Sequence, residues 1–76
     1  MGKLTRKDLF SPVRVDVIRG YADNNMNIPA TSKAIYLSVG TVVYHFTRIK
    51  ELSGKDPKNF YDLVDLLKMI EEECNE

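Results

Sequence analysis

The sequence predicts an all-α fold, and three observations lead there. β-Branched residues fall at helical rather than alternating spacing, no hairpin dipeptide separates two apolar runs, and a capping residue stands ahead of each apolar stripe. At 76 residues the chain is one domain. An apolar share of 43% is enough for one small core, and 29% charged residues keep the rest in water.

Residues 1–10 read as a basic N-terminal arm or a short helical turn. Thr5-Arg6-Lys7-Asp8 has the form of a capping box with Asp in fourth place, and a turn there aims Leu4, Leu9 and Phe10 at the body. The folded domain is expected over residues 11–76. Its first helix opens with Ser11 as N-cap and Pro12 where a missing N–H costs nothing. Val13, Val17, Ile18, Tyr21 and Ala22 form its apolar stripe, and Asn24-Asn25 end it. Gly20 inside this helix costs about 1 kcal/mol against alanine, which predicts a close helix approach there.

Asn27 caps a second, short helix with Pro29 in its first turn, Ala30, Ala34 and Ile35 facing inward, and Leu37 closing it. Ser38 caps a third helix that continues to Leu52, buries Val39, Val42, Phe46 and Ile49, and stops at Gly54. Asp56-Pro57 is a break. Asn59 caps a fourth helix from Phe60 to about Glu73, with Asp62 in its first turn and Phe60, Leu63, Val64, Leu67 and Ile70 as its core face.

Composition narrows the function classes. Cys74 is the single cysteine, so the chain holds neither an internal disulfide nor a cysteine metal pair. No apolar run reaches the roughly 18 residues that span a bilayer, and MGKLTRKDLF lacks a signal-peptide core, so a cytoplasmic protein without a membrane partner is expected. His45 is the single histidine and has no nucleophile at a useful spacing. The sequence therefore predicts no enzyme, no metal and no cofactor. Net charge is zero but unevenly placed. Residues 1–55 carry nine Lys/Arg against four acids, a surplus of five, and residues 56–76 carry two against seven, a deficit of five.

About two or three residues, around Leu37-Ser38, join the second and third helices, which forces a steep crossing. The fold expected is a trihelical helix-turn-helix core with an additional C-terminal helix. With Val42, Phe46 and Ile49 inward, 100° per residue places Thr41, Tyr44 and Arg48 on an outward stripe, with His45 at its edge and Gly40 at the tip. Arg48 has the fork for guanine or phosphate, Thr41 a hydroxyl and a methyl, Tyr44 an apolar body with a polar tip, and His45 a donor nitrogen. Ser38 lies at the same end, Asn27 and Thr31 stand where the second helix can point amides at phosphate, and Lys33 and Lys50 flank the stripe. Lys3, Arg6 and Lys7 of the arm are further phosphate neutralisers. The expected partner is duplex DNA.

The run from Tyr21 to Ile35, followed by Thr41-Val-Val-Tyr-His-Phe-Thr-Arg-Ile-Lys-Glu-Leu-Ser-Gly54, resembles the C-terminal DNA-binding domain of PucR/CdaR-type bacterial regulators, itself similar to the helix-turn-helix of Fis. The resemblance covers roughly residues 13–68 and rests most on Asn27, Thr31 and Ala34, on Thr41 with Tyr44, and on Arg48-Ile49 through Glu51-Leu52 to Gly54. It implies a four-helix transcriptional regulator domain whose third helix reads the groove. The chain departs from the pattern at Ser38, Val39 and Gly40, where members often carry basic or amide residues, and between Val43 and Thr47, where only His45 is basic. PucR-type regulators carry the module at the end of a longer chain, so a lone copy is expected to homodimerise, through Leu66 and Met69, Val43, or Leu4, Leu9 and Phe10. The other reading is a protein-interaction module that modulates a larger regulator through Val43, Tyr44 and the acidic last helix.

Overall fold

The computed structural model of the protein describes residues 10–74, all helix and turn. Four helices follow in order: α1 (Pro12–Asp23), α2 (Ile28–Ala34), α3 (Val39–Ser53) and α4 (Phe60–Cys74). The first turn expected around Thr5-Asp8, together with Leu4, Leu9 and the arm cations, lies outside the described residues. Phe10 lies within them and packs partly buried against the core.

Local chemistry sets the helix ends. Ser11 stands at the N-cap of α1, but its side chain caps no amide and only its carbonyl accepts, from Val15 N–H at 3.0 Å. Asn27 caps α2 by accepting from Ala30 N–H at 2.8 Å, and Ser38 caps α3 by accepting from Thr41 N–H at 3.1 Å. Gly54 ends α3 at φ 77°, the left-handed stop expected of it. Asn59 Oδ1 accepts from the amides of Tyr61 and Asp62 and opens α4. Between them, Asp62 Oδ2 accepts from Asp56 N–H at 3.0 Å and Pro57 is fully buried, which fixes the α3–α4 connection.

The core is shared by three helices. Val17, Ile18 and Tyr21 of α1 meet Val42, Phe46 and Ile49 of α3 and Leu63, Leu66 and Ile70 of α4. Tyr21 and Phe46 pack edge to face at 4.7 Å. Of the residues expected inside, Ala34, Val39 and Phe60 are exposed, and Val13, Ala30 and Val64 are half-buried. Each of the first three sits at a helix end, where no neighbouring element reaches across to cover it. Leu66, expected on the surface of α4, is 0% exposed, and Met69 packs against the core. Leu66 is thus closed to a second copy, and Met69 is half-covered.

α2 seats on α1 by other means. Thr31 and Ser32 are buried, and their hydroxyls donate to the carbonyls of Asn27 at 2.7 Å and Pro29 at 2.8 Å. The close approach expected at Gly20 is there: a methyl at that position would meet Ile35 Cγ2 at 3.2 Å and Thr31 Cγ2 at 3.3 Å. α2 ends at Ala34 rather than Leu37. Leu37 N–H then donates to Ser32 O at 2.9 Å, and Tyr36 swings to φ 60°. Residues 35–38 therefore form the turn, slightly longer than the spacing predicted.

Candidate nucleic-acid interface

α3 lies with Val42, Phe46 and Ile49 in the core, so its opposite side faces solvent over its whole length. The most exposed positions are Val39, Gly40, Val43, Tyr44, Thr47, Lys50 and Glu51, whereas Thr41, His45 and Arg48 are half-covered. The outward direction is thus turned by about one residue from the stripe Thr41–Tyr44–Arg48. Tyr44 remains at its centre, 56% exposed, with its ring edge-on to the His45 imidazole at 5.2 Å.

Ser38 and Thr41 act as a pair. Their hydroxyls lie 2.8 Å apart, and one donates to the other while Ser38 Oγ also holds the Thr41 amide. One hydroxyl hydrogen of the two remains to be given outward. Gly40, beside them, has open space: a Cβ there would meet only Ser38 Oγ, at 4.0 Å.

His45 is turned toward α1, where its Nδ1 accepts from Arg14 Nε at 3.5 Å. Burial first, and the Arg14 charge second, hold its pKa below the ordinary 6.5. The imidazole is neutral at pH 7, with its proton on Nε2, so it offers a donor nitrogen and no positive charge. Arg48 Nη1 donates to Glu51 Oε1 at 2.7 Å across one helical turn. That exposed ion pair sets an acid beside the cation that the stripe was expected to present. Lys50 Nζ stands 3.9 Å from Asp56 Oδ2, an exposed pair of little strength, and Lys33 is exposed.

At α2 the expected contacts need correction. Thr31 is 0% exposed, and both its amide and its hydroxyl bond to the Asn27 carbonyl, so its side chain has no route to a ligand. Pro29 lacks an N–H and the Ala30 amide is taken by Asn27 Oδ1, so this seven-residue helix has little left to aim at a phosphate. Asn27 is exposed, but its side chain serves as the cap.

Sequence reasoning missed two residues here. Glu51 was visible three residues after Arg48, the spacing of a helical ion pair. Tyr36, 92% exposed in the turn before α3, carries no periodic signal. Beside α3 a groove of 460 Å³ opens over Val43 and Phe46, edged by Lys50, Glu51, Asp56 and Lys58. Among the described residues no three His, Cys, Asp or Glu side chains converge as a metal site, and no helix is long and apolar enough to cross a membrane.

The family profile of the PucR C-terminal helix-turn-helix domain matches residues 15–70, which takes in the stripe, the turn and most of α4. No match was found among curated proteins or among solved structures.

Proposed function

The chain belongs to the PucR C-terminal helix-turn-helix domain family, and on that premise we propose that it binds duplex DNA sequence-specifically as a small transcriptional regulator, with α3 in the major groove. The observation that carries this reading is the uncovered outer side of α3, from Val39 to Glu51, on a helix whose inner side anchors the core. Tyr44, His45 Nε2, the Ser38–Thr41 hydroxyl pair and Arg48 supply donors along it, and Lys33 and Lys50 neutralise phosphates. The role is binding, without catalysis, in the cytoplasm. Two copies reading two half-sites about one DNA turn apart raise the affinity, and with Leu66 buried and Met69 packed against the core, exposed Phe60 and Tyr61 are the apolar surface that α4 offers for that pairing.

The test is a fluorescence-anisotropy titration against a randomised duplex pool at low and near-physiological salt. Saturable binding that weakens steeply with salt is expected. A folded protein that binds nothing at low salt overturns the reading. Arg48→Ala is expected to weaken binding by about 1–3 kcal/mol if the guanidinium reads a base.

A specific observation favours a second reading, a protein-interaction module that modulates a larger regulator. The outer side of α3 presents Val43, Tyr44 and Thr47 at its centre, and Glu51 occupies Arg48. Glu51→Gln separates the two. On the DNA reading it frees Arg48, removes a repelling charge and raises affinity several-fold; on the protein reading DNA titrations are unchanged.

A further inference from the structure

Among the described residues, three other than glycine hold positive φ: Asn25 at 58°, Met26 at 59° and Tyr36 at 60°. The first two have internal reasons. Asparagine tolerates the left-handed region, and Met26 packs against the core from there, which offsets its strain. Tyr36 has neither. It is the residue after the C-cap of α2, with its amide 3.4 Å from Lys33 O and the next amide bonding back to Ser32 O, the position where glycine is usual. At 92% exposure its ring rests on almost nothing. The fold would be served better by glycine.

Four residues on, the mismatch recurs in reverse. Gly40 weakens the first turn of α3, although a side chain there would have room. A strained, unpacked aromatic and an unneeded glycine stand at one end of one helix, the end that enters a groove first. Their rationale lies outside the chain.

We infer that Tyr36 is a DNA-backbone contact: its phenol O–H donates to a phosphate oxygen flanking the groove that α3 enters, while bare Gly40 lets the same strand come close. This rests on the DNA-binding reading above. A phenol suits the task because a hydroxyl hydrogen-bonds phosphate without adding charge, so it fixes register on the duplex rather than nonspecific attraction. The left-handed backbone holds the ring clear of the body, where a right-handed residue would continue α2.

The experiment compares wild type, Tyr36→Phe and Tyr36→Gly on the tightest duplex selected from the pool, with thermal melts alongside. Tyr36→Phe should melt as wild type and lose about fivefold in affinity. Tyr36→Gly should melt roughly 2–8 °C higher and yet bind at least as weakly as Tyr36→Phe. Both should keep the wild-type salt slope, because a neutral phenol neutralises no phosphate and releases no counterion. If wild type binds and both variants match it, this contact falls while the DNA reading stands. If wild type binds no DNA, both fall. A loss in Tyr36→Gly without one in Tyr36→Phe overturns donation by the hydroxyl. Unchanged DNA affinity with lost self-association overturns the contact too, and assigns Tyr36 to a protein surface.

Discussion

α2 and α4 both lean on α1, and they do so by opposite means. α4 brings a long apolar face, with Leu63, Leu66 and Ile70 sealed in the core. α2 brings seven residues, two buried hydroxyls and a notch at Gly20 too tight for a relaxed methyl. Apolar burial is strong and non-directional, so α4 supplies stability while tolerating small shifts. The two hydroxyls bond mainly within α2, and across the notch only the Thr31 hydroxyl reaches Gly20 O, at 3.4 Å, so close steric fit rather than net energy defines one position. That division suits the molecule, since α2 and the turn after it set where α3 points.

The contrast can be broken at its strongest point first. Leu66→Ala should cost about 2–5 kcal/mol, a large part of the roughly 4–11 kcal/mol expected for a chain of this length. A urea titration showing a loss below 1 kcal/mol would contradict α4 as the main store of stability. Thr31→Val should cost less, about 1 kcal/mol, because Asn27 O still accepts from the Thr31 amide when the hydroxyl is gone. Its sharper effect should be on DNA affinity, through the seat of α2. Equal loss of stability and no loss of binding would show that the notch does not position α3.

The smallest effect belongs to the third contact with α1, made by α3 through His45 and Arg14. Because the folded imidazole titrates below 6.5, the unfolded chain takes up its proton first as pH falls. The neutral imidazole's contribution is therefore full above pH 6.5 and is lost as pH drops toward the lowered folded value. A shallow fall in Tm across that window should vanish in His45→Gln. An identical fall in both proteins would assign it to carboxylates instead.

Much of this architecture was legible because its signals are local. Asn27, Ser38, Gly54 and Asn59 act within three or four residues of themselves, and all four hold the stations their types imply. Faces were harder. Apolar residues at 63, 64, 66, 67, 69 and 70 permit two stripes on α4, and only the position of α1 decides that Leu66 is central. The reading through Phe60, Val64 and Leu67 followed a period the sequence truly contains. For α3 the same ambiguity turned the outward direction by about one residue, enough to half-cover Thr41 and Arg48. Tyr36 was invisible to periodicity because its meaning is a backbone angle.

The way the helices pair also sets a timescale. α1 meets α2 and α2 meets α3 across turns of a few residues, whereas α4 returns to α1 from the far end of the chain. Local pairs close quickly and with little loop entropy, so folding in microseconds to milliseconds is the natural expectation. α1 also meets α3, with Tyr21 against Phe46, so two closures are long-range, and the longer is α4 onto α1. Leu66 sits on it, and the same side chain that stores equilibrium stability would govern how soon an unfolded molecule returns to use.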